Sequence, residues 1–420
     1  MILVWYKHSF KGAPLVEVLG LSLAKRAVLS AQAAGFKDIV IVVHPQDMAL
    51  TKKELADSKI KAKVKLLTEA QSLSKTIEMS GIDSSNEVAV VLGDRVWTAP
   101  AIKALTKPLE GASVRLVCDN SSDRFCTGLF RVETTQINKL PLSGNCTEAL
   151  LNKTFNDADT NPDTIDIATL AFSAARIEEN TNLRAAENIL LRALKKSADG
   201  VVSRNINRKI SLFLSRRLAK TAMRPNHITA VVAGIGLFSG FSNYFIGGYW
   251  GFLIGGLCYY ISAILDGCDG EISRLKYLGS SLGAWLDTIV DDLVCLSFIV
   301  GLYARLYVDE PSDFRLWTGL AGVFFFLLTI LPRYYIMATR LGSGDFQKLA
   351  AAQKPAEPVG FSKLVQTVKE TLFRTDFLPF YGFVTALVSY VPAFAIPFAI
   401  GAIASSGDTL VTLVTTRPKK

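Results

Sequence analysis

With 420 residues, half of them hydrophobic and a fifth charged, the chain is long enough to carry two domains. Its net charge of +9, in the absence of any nucleic-acid-binding motif, favours an anionic lipid surface and anionic substrates over DNA or RNA. Six cysteines without a CxxC pair and three scattered histidines (His8, His44, His227) exclude a zinc framework and fit a reducing setting for the N-terminal part. The apolar run at the N-terminus is too short for a signal peptide, so Ile2–Tyr6 is expected to be a first buried strand, followed by a loop over Lys7–Pro14. Val18–Ala34 has helical apolar spacing. Ile39–Val43, Val64–Leu67 and Val88–Leu92 are β-branched strand candidates, with helix patterns near 50–57, 69–80 and 99–107. Strands alternating with helices predict a mostly parallel sheet, an α/β Rossmann-like soluble domain.

Residues Gly12–Arg26, the Asp94 that ends Leu92-Gly93-Asp94, and Asp163–Ile167 resemble parts of the sugar-nucleotidyltransferase fold. That family cradles a triphosphate on a glycine-rich first loop. Here the loop reads Tyr6-Lys7-His8-Ser9-Phe10-Lys11-Gly12, and one glycine does not supply such a nest. A retained scaffold that binds a nucleotide, docks the membrane domain or mediates assembly is therefore expected in place of cytidylyl transfer. Lys11, Lys25 and Asp94 are the candidates for residual activity.

Between Arg204 and Arg224 lie seven basic residues and no acidic one, with Ile206, Ile210, Phe213, Leu214 and Leu218 at helical spacing. This pattern predicts a basic amphipathic helix at the membrane surface. Six apolar spans follow, at about 227–247, 249–267, 284–303, 315–338, 377–390 and 392–414, so the second domain is expected to be an all-α six-helix transmembrane domain. Basic residues in 339–375 and at the C-terminal tail, against an acidic 304–314 loop, place both termini in the cytoplasm of an integral inner- or plasma-membrane protein. The expected division is 1–183, soluble domain; 184–225, linker and interfacial helix; 226–420, transmembrane domain.

Four aspartates stand between two strongly apolar runs, Tyr249–Leu265 and Leu293–Tyr303. Asp266 and Asp269 are spaced i, i+3, and Asp287 and Asp291 are spaced i, i+4, so each pair shares a helix face. A carboxylate near the hydrocarbon costs about 2.5–3.5 kcal/mol on insertion scales. A divalent cation clasped between the two helix ends offsets that cost, and oxygen ligands suit Mg²⁺, Mn²⁺ or Ca²⁺.

Asp266, Asp269, Gly270, Ser273, Arg274, Gly283, Asp287 and Asp291 match the spacing D-x2-D-G-x2-A-R-x8-G-x3-D-x3-D of the CDP-alcohol phosphotransferase family, with Ser273 replacing the usual alanine. The entry Pro225-Asn226-His227-Ile228-Thr229 also resembles that family. The basic stretch before it is similar to fused inositol-phosphate cytidylyltransferase/di-myo-inositol-phosphate-phosphate synthase proteins. The resemblance implies a Mg²⁺-dependent transferase (Mn²⁺ as an alternative) that moves a substituted phosphate from a CDP-alcohol to an acceptor hydroxyl and releases CMP. It implies CDP-inositol as donor, inositol phosphate as acceptor, membrane lipids as surroundings and a homodimer. Asp266, Asp269, Asp287 and Asp291 would hold the metal, with Asp291 also the base. Asn226, Thr229, Gly270, Ser273, Arg274 and Gly283 would line the nucleotide. Arg333, Lys369 and Arg374, near expected cytoplasmic helix ends, are candidates for an acceptor phosphate. A CDP-diacylglycerol-dependent lipid synthase and an inactive nucleotide-sensing anchor are the alternatives.

Overall fold

The structure is a computed structural model that describes residues 2–6, 12–68, 79, 87–93, 95–106, 114–119, 125–133, 163–166, 175–177, 182–194, 200, 202–341 and 377–415. The chain divides into two compact units, Met1–Lys195 and Lys196–Lys420.

The first unit is built on a seven-stranded sheet. Its strands are β1 (Ile2–Tyr6), β4 (Asp38–Val43), β5 (Lys63–Thr68), β6 (Glu87–Leu92), β8 (Val114–Asp119), β9 (Phe125–Glu133) and β10 (Asp163–Asp166), in the order β10-β8-β9-β6-β1-β4-β5. The short pairs β2 (Glu17–Val18) with β3 (Leu21–Ser22), and β7 (Arg95–Val96) with β11 (Ala175–Arg176), stand apart from it. Strand β1 pairs in parallel with β4 and β6, β4 with β5, and β8 with β10, while β9 runs antiparallel to both β6 and β8. Only β9 is reversed. Ile39–Val43 are buried without alternation, as a strand covered on both faces requires. At the edge, β5 keeps Lys63 and Lys65 toward solvent, charges that discourage edge-to-edge pairing.

The helix expected from Val18 starts later. Leu19 (φ 50°) and Gly20 (φ 74°) both lie in the left-handed region, which turns the chain tightly between β2 and β3. Ser22 then caps helix α1 (Leu23–Ala33) by accepting the Lys25 N–H. Among the described residues this unit also holds helices α2 (Met48–Leu55), α3 (Ala99–Ala104) and α4 (Leu183–Arg192). The helix expected near 69–80 lies outside the described residues.

The second unit is helical. A wide π-type turn (Ser203–Asn207) leads into α5 (Arg208–Leu218), followed by α6 (Pro225–Phe241), α7 (Gly248–Leu275), α8 (Ser281–Asp309), α9 (Asp313–Ile336), α10 (Leu378–Leu387) and α11 (Pro392–Thr415). Among the described residues four helices are long and apolar enough to cross a membrane: Pro225–Ile246, Gly248–Leu275, Asp313–Thr339 and Pro392–Val411. The expected six are therefore not all matched. At 29 residues α8 is long enough, but it carries Asp287, Asp291 and Asp292 in its first half. With ten residues α10 reaches about 15 Å, half the hydrocarbon thickness.

Small residues let these helices touch. A methyl group on Gly301 of α8 would lie 2.2 Å from the Gly240 carbonyl oxygen of α6, so the two backbones meet directly. Tyr303 of α8 fits over Gly319 and Gly322 of α9 and donates its hydroxyl to Ala395 O of α11 at 2.7 Å. Phe298 stacks on Tyr259 with ring centres 4.5 Å apart and meets Phe394 edge-on at 5.4 Å. These contacts weld α6–α9 and α11 around one apolar core and fix the ends of α7 and α8.

The amphipathic segment is arranged differently from a plain apolar-inward helix. Asn207, Ser211 and Ser215, one turn apart, are buried, whereas Ile206, Ile210 and Phe213 are exposed. Leu214 and Leu218 rest against the core. Arg217 lies over the Phe213 ring at 4.4 Å. The exposed apolar residues and the neighbouring cations give the segment an amphipathic outer face.

Candidate metal and nucleotide site

The aspartates converge because α7 and α8 are joined by only five residues, 276–280. Helix α7 ends with Leu278 N–H donating to Ser273 O at 2.8 Å, and Tyr277 takes the left-handed conformation (φ 53°) that usually falls to glycine. Lys276 Nζ donates to Thr221 O at 2.6 Å and anchors the turn. Ser280 caps α8, its Oγ accepting the Gly283 N–H at 3.0 Å. The last turns of α7 thus carry Asp266 and Asp269, and the first turns of α8 carry Asp287 and Asp291.

Asp266, Asp269 and Asp287 each place a carboxylate oxygen within 4.8 Å of the others. A cation about 2.1 Å from each oxygen spans at most about 4.2 Å between opposite ligands, so this spacing closes on one divalent ion with slight side-chain movement. Asp266 Oδ1 and Asp287 Oδ1 are buried with no hydrogen-bond partner, which is the state of an oxygen reserved for a ligand. Without counter-charge, two carboxylates at about 4.8 Å repel by about 3.5 kcal/mol at an effective dielectric of 20. The donor set fits a hard divalent cation. Asp291 lies outside this trio, close enough for its charge to act on Asp266 and Asp287.

The other signature residues lie on the same turns of α7 and α8 and at the start of α6. Thr229 Oγ1 donates to Asp269 Oδ2 at 2.7 Å, linking the start of α6 to the cluster. Arg274 folds back over Gly270, where a methyl group would meet Nη1 at 3.1 Å, and its charge acts on Asp269. A methyl group on Gly283 would lie 3.0 Å from Ser280 Oγ and 3.7 Å from Asn226 Oδ1, so Asn226 and Gly283 face each other. Ser273 Oγ stands 3.6 Å from where a methyl group on Gly279 would sit.

Among the acceptor candidates, Arg333 donates from Nη2 to both oxygens of Asp292 at 2.7 Å, and Tyr334 donates to Asp292 Oδ2 at 2.6 Å. Arg333 is thus engaged by α8. Lys369 and Arg374 lie outside the described residues, as do Lys11 and Asp94. Lys25 pairs with Asp57 at 2.8 Å, and this hydrogen-bonded ammonium holds the Asp57 carboxyl below the usual carboxylate range.

One constellation escaped the sequence reading. Glu271, inside the signature but at an unspecified position, is fully buried, and its Oε1 accepts from Arg208 Nη1 at 2.7 Å and Ser211 Oγ at 2.8 Å. The only signal was a carboxylate one helical turn from a cysteine and a leucine face, which does not name its partner.

Residues 222–354 match the family described as CDP-alcohol phosphatidyltransferase. The bifunctional IPC transferase and DIPP synthase of Aquifex aeolicus is 35% identical over 135 residues, covering 32% of this chain and 29% of that protein. That of Archaeoglobus fulgidus is 38% identical over 125 residues, covering 29% of this chain and 24% of that protein. The matched stretch therefore spans under a third of either relative. The solved inositol-1-phosphate CTP transferase of T. maritima is a slight likeness, with TM-score 0.34 and 14% identity over 43% of this chain and 89% of that one. The aspartate cluster thus lies inside the stretch, residues 222–354, that matches the CDP-alcohol phosphatidyltransferase family.

Proposed function

We propose that this chain is a membrane-embedded transferase that moves a substituted phosphate from a CDP-alcohol to an acceptor hydroxyl and releases CMP. CDP-inositol is the favoured donor and an inositol phosphate the favoured acceptor, in keeping with the names of the two relatives. The observation that carries the reading is the trio Asp266, Asp269 and Asp287, its oxygens within 4.8 Å, inside the matched segment.

Magnesium held by these carboxylates would neutralise the donor's pyrophosphate and the charge that grows on departing CMP. Asp291, beside the trio, takes the proton of the acceptor hydroxyl. That oxygen bonds to the phosphorus bearing the alcohol, and the bond from this phosphorus to the CMP oxygen breaks, its electron pair leaving with CMP. Arg274 presents a planar fork of donors to the phosphates. Gly270, Ser273, Gly283 and Asn226 leave a shallow wall against which a flat base can lie, and Thr229 borders it while holding Asp269.

In this reading α8 and α10 complete a six-helix membrane domain, with α8 crossing through its length and α10 lying shorter in the bundle. The soluble unit is a Rossmann-like nucleotidyltransferase scaffold on the cytoplasmic side, with the aspartate cluster and both termini. The working enzyme is a homodimer. Arg333, Lys369 and Arg374 remain the acceptor-phosphate group, with Arg333 held ready by Asp292.

The test is CMP release by purified full-length protein given CDP-inositol or CDP-diacylglycerol with an inositol phosphate, with and without a chelator. A water-soluble product made only with divalent cation, and lost in Asp291→Asn, supports the proposal. An organic-phase product would make the chain a lipid synthase. No CMP from any donor would make it an inactive anchor.

A further inference from the structure

The interfacial helix does more than rest on lipid: it splints the helix that carries the first two aspartates. Along one face of α7, Tyr260 donates to Asn207 Oδ1 at 2.9 Å, and Cys268 Sγ lies 3.6 Å from Ser211 O. A methyl group on Gly267 would touch Ser211 at 3.5 Å. Glu271 takes Arg208 and Ser211. Positions 260, 267, 268 and 271 recur at helical spacing and form the back of α7. Asp266 and Asp269 leave from the front.

Two glycines, Gly267 and Gly270, sit in these turns, and glycine loosens a helix interior. These two glycines lie in the aspartate-bearing turns of α7, the stretch the splint grips. The grip is ionic at its centre: Glu271 is 0% exposed, and its partner is Arg208 of the basic segment. Apolar residues of equal volume pack such a seam without loss of stability, so what the pair adds is register.

We infer that Glu271, through its ion pair with Arg208, is a positioning residue that sets the spacing of Asp266 and Asp269 for the cation. The inference deepens the function proposed above and rests on it only for the cation site. It also links helix α5 to the reacting centre through the Glu271–Arg208 contact.

Full-length protein in detergent is titrated with Mn²⁺ alone, followed by loss of the free-ion paramagnetic resonance signal, and CMP release is measured in parallel. Glu271→Gln and Arg208→Gln each weaken Mn²⁺ binding about ten- to hundredfold. At saturating metal both leave the donor KM within about twofold of the starting value. The double variant loses no more than either single one, because both act through one contact. Arg208→Lys, which keeps the charge, recovers most of the affinity. Ser211→Ala removes one hydrogen bond and leaves the ion pair, so it gives a smaller shift and decides the matter should Glu271→Gln fail to fold. Unchanged Mn²⁺ affinity in Ser211→Ala and Arg208→Gln overturns the inference. A donor KM raised at saturating metal overturns it too, making Arg208 a substrate contact. Wild-type protein that binds Mn²⁺ but releases no CMP would end the proposed function, while the Mn²⁺ shifts among variants would still decide this inference.

Discussion

Thr229→Val is the most direct probe of the aspartate cluster. The substitution keeps a β-branched side chain of nearly equal size at a buried position and removes only the hydroxyl. Thr229 Oγ1 lies 2.7 Å from Asp269 Oδ2 and 3.2 Å from Pro225 O, and one proton cannot serve both, so the shorter contact to the carboxylate takes it. Asp269 is itself buried, and no solvent replaces the lost donor. A hydrogen bond to a charged group contributes about 1.5–3 kcal/mol. At about 1.4 kcal/mol per tenfold, that is roughly a ten- to hundredfold weakening of divalent-cation binding. The assay is the Mg²⁺ dependence of CMP release in Thr229→Val, with Mn²⁺ binding to the same protein as an independent check. The half-saturating metal concentration rises by that factor, and at saturating metal the donor KM returns to its starting value. If the donor KM rises and metal affinity does not change, Thr229 contacts the nucleotide and the assignment to Asp269 is refuted.

Gly301→Ala places a methyl group 2.2 Å from Gly240 O and forces α6 and α8 apart, an overpacking that costs about 1–3 kcal/mol; thermal unfolding in detergent should show a lowered midpoint, and an unchanged one would refute the direct backbone contact. Arg333→Lys replaces a two-oxygen grip on Asp292 with a point charge. If Arg333 serves the acceptor, its KM rises more than stability falls; a loss of stability alone would make the arginine a strut between α8 and α9. In the soluble unit, Lys25 lowers the Asp57 carboxyl from its ordinary value of 3.8, so the pair stabilises the fold above that pH and the contribution disappears as pH falls through the lowered value. Asp57→Asn should therefore reduce stability by a constant amount at neutral and mildly acidic pH, and the gap to the unsubstituted protein should close only below about pH 3.8; a gap independent of pH would remove the ion pair as its cause.

Much of the molecule was legible in the order of its residues. Strands β1, β4, β5 and β6 fall on the predicted runs, and in β4 the burial of Ile39–Val43 without alternation demands uninterrupted apolar residues, which is a property of composition. The meeting of Asp266, Asp269 and Asp287 was also foreseeable: spacings of i, i+3 and i, i+4 put the carboxylates of each of two segments on one face, and a short turn joins the segments. Other features waited for the tertiary structure. The turn at Leu19-Gly20 shortened α1, since helical periodicity does not record a backbone that leaves the right-handed region. Helix α10 has ten residues among the described ones where the apolar run covers 377–390, because hydropathy measures solubility in lipid and not where a chain turns. The Glu271–Arg208 clamp joins residues 63 apart, and the Arg333–Asp292 grip joins residues 41 apart. Nothing in local spacing pairs such partners, since which faces of two helices meet is decided by the packing of the whole core, and only there do Gly240 and Gly301 set how closely the helices approach.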